Sequence, residues 1–105
     1  MSTAVTTELI RAAVEQGMQE LPPRLRHWAK AHLVVPRRTS VVLDPEGVQS
    51  GVVWLVTDAV GVNDSAYRVV YDESTASFGL EFQLDSGVSW YMGSYGSFSN
   101  AVESM

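Results

Sequence analysis

Apolar side chains recur every three to four positions over the first part of the chain, and this period predicts helices. The first helix covers residues 7–21, and its apolar stripe consists of Ile10, Val14, Met18 and Leu21. Ala13 and Gly17 lie on the same stripe, where their small size would let another helix approach closely. Pro22 and Pro23 end this helix, because proline disrupts a helix interior but is tolerated in the first turn of the next one.

The second predicted helix is short, amphipathic and basic. At 100° per residue, one side gathers Leu25, Trp28, Ala29 and His32. The opposite side carries Arg26, His27 and Lys30. We expect Pro36 to end this helix, because a proline disfavours the helical conformation of the residue before it.

From residue 39 the apolar period shortens to two, which is typical of strands. Five strands are predicted, over residues 39–43, 52–56, 67–71, 78–84 and 88–92. Residues 44–47 fit a type I turn after the first strand, and residues 85–87 fit a tight hairpin turn before the fifth, on which Val88, Trp90 and Met92 are predicted to point inward. The fourth is the clearest, since Phe78, Leu80, Phe82 and Leu84 alternate with small or polar residues. This alternation predicts one buried face and one wet face, with Glu81 on the wet face.

The connections between the predicted strands are mostly too short for parallel crossovers. A final short helix follows, with Ser97 as its N-cap. The sequence therefore predicts one α+β domain over residues 1–105: an antiparallel meander of about five strands with two N-terminal helices and a short C-terminal helix packed on it.

Charge is divided unevenly along these 105 residues, whose formal net charge is -5. Residues 1–43 hold six basic and three acidic side chains, a formal +3, whereas residues 44–105 hold one basic and nine acidic ones, a formal -8. Five of the seven basic residues fall within residues 22–38, which contain no acid. Such asymmetry bears on partners and association rather than on fold.

The composition also suggests where the protein works. Cysteine is absent, which suits a reducing compartment, and we expect a cytoplasmic location. The N-terminus lacks the basic start and apolar stretch of a signal peptide, and the longest apolar run, residues 52–56, is too short for a bilayer. We therefore expect no membrane association.

Motifs for catalysis or metal binding are missing from the sequence. His27 and His32 lie about 140° apart around a helix and cannot share a metal ion from one face. Asp58, Asn63 and Asp64 lack the spacing of a calcium loop, and there is neither a glycine-rich phosphate motif nor a nucleophile elbow. No catalytic residue, metal site or cofactor is predicted.

The acidic second half is rich in tyrosine, and this combination favours recognition of a basic protein. Tyrosine rings supply contact area, and carboxylates speed the encounter with a positive partner. The predicted partner-binding residues are Asp58, Asp64, Tyr67, Tyr71, Asp72, Glu73, Glu81, Tyr91 and Tyr95. The leading hypothesis is a non-enzymatic protein-binding domain whose association is sensitive to salt.

Two alternatives remain open at this point. The first is a small-molecule-binding domain or modest enzyme, with a pocket between the second helix and the sheet lined by Trp28, His32, Trp54 and Trp90. The second is a homodimer in which the basic helix of one subunit docks on the acidic sheet of another. A nucleic acid partner is disfavoured, because the acidic half would repel phosphate.

In size, acidity, lack of cysteine and α+β pattern, the chain resembles the small acidic inhibitors of bacteria, such as the immunity proteins that neutralise basic toxins. The resemblance is one of type and covers the whole chain without a shared motif. It implies an inhibitor of a basic protein, and it assigns a role to no individual residue.

Overall fold

The computed structural model describes residues 7–44, 46–58, 67–83 and 89–104, and the statements below concern this part of the chain. Three helices and five strands follow one another as α1 (Thr7–Glu20), α2 (Pro23–His32), β1 (Leu33–Val42), β2 (Ser50–Thr57), β3 (Tyr67–Asp72), β4 (Ser77–Gln83), β5 (Ser89–Gly96) and α3 (Phe98–Glu103). The predicted α+β architecture, with two N-terminal helices, a five-stranded antiparallel meander and a short C-terminal helix, is confirmed.

The meander closes into a barrel, which the sequence did not predict. Each strand pairs antiparallel with the next, and β1 then meets β5 in parallel where Val42 lies opposite Trp90. Closure gives the sheet an inner and an outer face, and both bury apolar side chains.

Two hydrophobic clusters fill these two faces. The outer cluster lies between the strands and the three helices and includes Ile10, Val14, Val69, Leu80 and Phe98. The inner cluster fills the barrel and consists of Val41, Val53, Leu55, Val70 and Tyr91. Neighbouring residues of β3 therefore belong to different clusters, as the alternation of side chains along a strand requires.

The close helix approach predicted at Gly17 occurs, and the helix that approaches is α3. A Cβ atom added to Gly17 would lie 2.7 Å from the Phe98 Cβ and 3.3 Å from the Ser99 backbone nitrogen. Glu20, one turn further along α1, accepts a hydrogen bond from the Ser99 hydroxyl at 3.0 Å. The first and last helices of the chain are thus packed together.

The predicted boundary between the second helix and the first strand was wrong. α2 ends at His32, and β1 already begins at Leu33, six residues before the predicted start. The Asp58 N–H donates to the His32 carbonyl at 3.0 Å, and Leu33 pairs with Thr57. Pro36 lies inside β1 at a register shift between Leu33 and Arg37, where a strand tolerates a missing N–H.

The predicted wet face of the fourth strand was also wrong. Gly79 and Glu81 point into the barrel and are buried, so β4 is covered on both faces. On β5, Tyr91 is buried between the half-buried Trp90 and Met92, which were predicted to point inward. Leu84 and the predicted turn over residues 85–87 lie outside the described residues.

The turn predicted after the first strand is present around Asp44. The Gly47 N–H donates to the Asp44 carbonyl at 3.1 Å, and Gly47 has the positive φ of +76° that favours glycine. The Asp44 carboxylate accepts from the Gln49 and Val48 N–H groups at 2.7 and 3.1 Å. These backbone hydrogen bonds hold the pKa of Asp44 below its ordinary value.

Gly17→Ala tests the contact between α1 and α3. The new methyl group collides with Phe98, and such overpacking costs about 1–3 kcal/mol, against a gain of about 1 kcal/mol in helix propensity. We expect a net loss of about 1 kcal/mol, measured by urea unfolding followed by circular dichroism. Gln16→Ala, at an exposed neighbour, is the control and should change stability by no more than about 0.5 kcal/mol. A more stable Gly17→Ala variant would contradict the packing.

Candidate functional site

The predicted partner-binding residues do not form one surface. Tyr71, Glu81 and Tyr91 are buried, with 5%, 0% and 8% of their surface exposed, so they cannot belong to an exposed face. Asp64 lies outside the described residues.

The remaining acidic residues of that set lie at two ends of the barrel. Asp58 follows β2 and, by register, lies beside the start of β3, whereas Asp72 is the last residue of β3 and Glu73 follows it. Five residues of strand separate the two ends, a distance of about 15 Å. Tyr67 is half-buried against the outer cluster, and Tyr95 is 36% exposed near the end of β5. The acidic residues of the set therefore lie at two separate ends of the barrel and do not form a single acidic face.

A buried ion pair occupies the interior of the barrel. Arg68 on β3 lies directly opposite Glu81 on β4. Its guanidinium donates two hydrogen bonds of 2.6 Å to the two Glu81 carboxylate oxygens and a third, of 3.2 Å, to the Ser89 hydroxyl on β5. The Glu81 side chain is fully buried and that of Arg68 is 14% exposed. Because this geometry satisfies both charges within the fold, the pair has a structural role.

The sequence held a signal for this pair that the strand pattern obscured. Arg68 is the only basic residue among the nine acidic ones of residues 44–105. An isolated cation in the middle of a strand with apolar neighbours is a candidate for an internal partner. The partner itself could not be identified without the register that places Glu81 opposite Arg68.

Two of the clustered basic residues are also used within the fold. The Arg26 guanidinium donates to the carbonyls of Met18 and Leu21, both at 3.0 Å, at the end of α1. α1 has no basic residue in its own last turn, so Arg26 supplies the positive charge that a helix C-terminus favours. Arg26 was predicted to lie on the polar side of the second helix, and it is half-buried at the end of α1.

Arg38 bridges the basic and acidic halves at the surface. Its guanidinium lies 3.2 Å from a Glu73 carboxylate oxygen and 5.2 Å from the centre of the Trp54 ring. The Trp54 indole N–H donates to the same Glu73 oxygen at 2.5 Å. Glu73 is thereby engaged on both sides, which reduces its availability to a partner.

Of the four residues of the predicted pocket, Trp28, His32, Trp54 and Trp90, the structure brings Trp28 and His32 into contact. His32 lies against Trp28, with 5.2 Å between ring centroids, and its Nδ1 lies 2.9 Å from an Asp58 carboxylate oxygen. Four cavities, of about 520, 360, 420 and 500 Å³, were found among the described residues, and none of the four residues lines any of them. The small-molecule alternative, with a pocket between α2 and the sheet, stays a prediction.

One cavity, of about 360 Å³, lies between α1, the β3–β4 hairpin and the start of α3. We call it the hairpin cavity. Its lining comprises Ala13, Gln16, Gly17, Glu20, Tyr71, Ala76, Ser77, Phe78, Gly96, Ser97 and Phe98. Apolar and aromatic groups predominate, and Glu20 is the one charged residue among the described residues that line it.

The hairpin beside this cavity carries further acidic groups. Asp72 pairs with Ser77 across the β3–β4 ladder and accepts hydrogen bonds from the Ser74 N–H and hydroxyl, at 3.0 and 2.7 Å. Ala76, at the end of the turn, has a φ of +50°, which is uncommon for a residue other than glycine. Of these carboxylates, Glu20 lines the hairpin cavity, whereas Asp72 and Glu73 belong to the adjoining hairpin and lie outside the lining. Two of the predicted partner-binding residues, Asp72 and Glu73, lie at this end of the barrel.

Comparison with known proteins adds no relative. No family model, no curated protein and no solved structure matches the chain. Within the described ranges, no helix is long and apolar enough to span a bilayer, and no group of three or more histidine or acidic side chains is arranged to hold a metal ion. The function must therefore be argued from the surface and its charges.

The Arg68–Glu81 pair can be tested by a double-mutant cycle. Glu81→Leu leaves the Arg68 charge without its carboxylate in the barrel, and we expect a loss of about 3–5 kcal/mol in the free energy of unfolding. The double variant Arg68→Met/Glu81→Leu removes both charges and should recover most of that loss. Urea unfolding of the wild type, both single variants and the double variant measures the cycle. Strictly additive losses would contradict a coupled pair.

Tyr91 provides a pH-dependent test of the inner cluster. Burial, with the nearby Asp72 charge second, raises the pKa of Tyr91 from 10.0 to about 12. The folded state therefore binds the proton of the Tyr91 hydroxyl more tightly than the unfolded state does. The resulting contribution to the free energy of unfolding is complete below pH 10 and is lost as the pH rises towards 12.

We expect wild-type protein to lose on the order of 1–2 kcal/mol more than Tyr91→Phe between pH 9 and pH 11.5. At pH 7 the variant should be as stable as wild type or more so, since the buried Tyr91 hydroxyl has no hydrogen-bond partner. Urea unfolding at both pH values provides the measurement. Equal pH dependence of the two proteins would show that Tyr91 titrates as an exposed tyrosine does.

Proposed function

We propose that the protein is a small non-enzymatic binding domain that recognises a basic protein by accepting a lysine or arginine side chain in the hairpin cavity. The observation that carries this proposal is the lining of that cavity, in which Glu20 lies beside an aromatic floor. Glu20 is the charged residue of the cavity lining, and the β3–β4 hairpin that borders the cavity carries Asp72 and Glu73.

An arginine or lysine side chain needs the two features that this cavity combines. Its aliphatic stem packs on apolar surface, while its charged end seeks a carboxylate. Tyr71, Phe78 and Phe98 supply the apolar surface, and Glu20 supplies the carboxylate. The hydroxyls of Ser77 and Ser97 offer further acceptors for a guanidinium.

The charge of the whole molecule supports the same partner. A net charge of -5 attracts a positively charged protein over several ångströms and accelerates association at low salt. Inhibition of a basic toxin or enzyme is one use of such a surface, as the resemblance of type to bacterial immunity proteins implies. The inhibitor would then occupy a cationic part of its target and block it without performing a reaction.

Glu20→Lys tests this proposal against a matched control, Glu8→Lys. Both glutamates are exposed on α1, but they lie about 18 Å apart along the helix, and Glu8 is outside the hairpin cavity. Each protein is immobilised, exposed to lysate of the source cell, and washed at low and then high salt. Bound proteins are identified, and their affinities for the purified variants are measured by calorimetry.

We expect a basic protein to elute at high salt from wild type and from Glu8→Lys, and its affinity for Glu20→Lys to fall by about tenfold or more. Circular dichroism checks that both variants are folded. If the bound protein is acidic, or if the two charge reversals weaken it equally, the hairpin cavity is not the recognition site.

A further inference from the structure

Two exposed cations, Arg11 and Lys30, border the side of α1 opposite the hairpin cavity and form no ion pair among the described residues. The ion pairs of the described chain are His32–Asp58, Arg38–Glu73 and Arg68–Glu81. Arg11 and Lys30 are exposed and take part in none of them. Arg11 and Lys30 line two adjoining cavities in which Glu15 is the one acidic residue among those described, so in a protein with a net charge of -5 they indicate a local surface of opposite sign.

These two cations border one groove. Cavities of about 520 and 420 Å³ adjoin there and share Val14, Glu15 and Leu33. Together they run between α1 and the chain from Lys30 to Pro36, and we call them the cationic groove. Its apolar lining consists of Val14, Met18, Leu33, Val34, Val35, Pro36 and Val56.

Part of this apolar lining is open to solvent. Leu33 is 37% exposed and Val35 is 63% exposed, and they stand two residues apart on β1. Apolar side chains that are grouped in a concave surface, rather than scattered singly, are typical of interaction sites. The start of β1 therefore offers a partner an apolar anchor point.

The charged residues of the groove are Arg11, Glu15, Arg26 and Lys30, a formal net charge of +2. Arg26 is held by the carbonyls at the end of α1, so its position is fixed by the fold. Arg11 and Lys30 are free to meet a ligand, and Arg37 lies just beyond the groove, beside Val35 in the adjacent cavity. A bound molecule would meet more positive than negative charge.

We propose that the cationic groove binds an acidic amphipathic segment of another protein, whose apolar side chains cover Leu33 and Val35 and whose carboxylates reach Arg11 and Lys30. Charge complementarity identifies this occupant, and exposed apolar groups beside the cations require one with apolar side chains of its own. This inference does not rest on the proposed function, because the hairpin cavity lies on the opposite side of α1 and has the opposite charge.

Other occupants fit the groove less well. A second copy of the chain carries the same net charge of -5, so the two copies repel each other overall. In addition, the carboxylates that it could offer, Asp72 and Glu73, already interact with Ser74 and Arg38. A nucleic acid would find few phosphate contacts and would leave Leu33 and Val35 uncovered. An acidic amphipathic segment satisfies both the charge and the apolar surface.

The probe is a fluorescein-labelled synthetic peptide of about 14 residues, with leucines at helical i, i+3, i+4 and i+7 spacing and glutamates elsewhere. Two control peptides replace the glutamates by lysines or the leucines by serines. Fluorescence anisotropy with the full-length protein measures each affinity at low salt and at about 0.5 M salt. We expect the acidic amphipathic peptide to bind about tenfold or more tightly than either control, and to weaken in salt.

Variants of the protein locate the binding. Arg11→Glu/Lys30→Glu should weaken the acidic peptide about tenfold or more, whereas Arg24→Glu, a charge reversal at an exposed arginine outside the groove, should change its affinity less than about twofold. Val35→Ser should weaken it, and Val48→Ser, at a still more exposed valine outside the groove, should not. Glu20→Lys should leave this affinity unchanged, which separates the groove from the hairpin cavity.

Three results would overturn the proposal. One is equal affinity for the acidic and basic peptides, and another is equal weakening by the groove variants and by Arg24→Glu. The third is a concentration-dependent dimer, seen by analytical ultracentrifugation, that the Arg11→Glu/Lys30→Glu variant abolishes, because a second copy would then be the occupant. Circular dichroism confirms that each variant is folded before its affinity is interpreted.

Discussion

A sheet with apolar side chains on both faces cannot leave either face in water, and the architecture of this protein follows from that constraint. Strand β3 contributes Val69 and Tyr71 to the outer cluster and Val70 to the inner one. The helices cover the outer face, and the inner face is covered when β1 returns to β5 and the sheet closes on itself. Because the helices pack on the apolar outer face, α1 has the cationic groove on one side and the hairpin cavity on the other.

The closed interior also explains why a charged pair is held inside the barrel. Arg68 and Glu81 face the same interior as Val70 and Tyr91, and each meets its charge and hydrogen-bonding requirements through the other. A slip of β3 against β4 by one residue would turn Glu81 towards the apolar outer cluster without its arginine. The pair therefore favours one register of β3 against β4, and so fixes that Tyr71, Ser77 and Phe78 reach the hairpin cavity.

Local patterns predicted much of this fold, and long-range pairing determined the rest. The stripe on α1, the alternation of Phe78 and Leu80, and the Asp44 turn were sufficient for element types and for the antiparallel meander. Barrel closure depends on the pairing of β1 with β5, and the local periodicity of the sequence does not reveal which distant strands pair. An alternating strand was therefore interpreted as half wet, and Glu81 and Tyr91 were assigned to the surface. Similarly, Arg26 and Arg38 were recognised as clustered charge, but their partners at the end of α1 and on Glu73 depend on tertiary contacts.

The pairing of α1 with α3 has a consequence for how the chain is made. α1 is synthesised before α3, yet Gly17 packs against Phe98 and Glu20 accepts a hydrogen bond from Ser99, which lies 79 residues further along the chain. At a translation rate of about 5–20 residues per second, α3 is synthesised several seconds after α1, and during that time the apolar stripe of α1 lacks its contact with α3. A chain that stops short of α3 would carry an incomplete outer core, and such nascent or truncated forms would be natural substrates for chaperones and proteases.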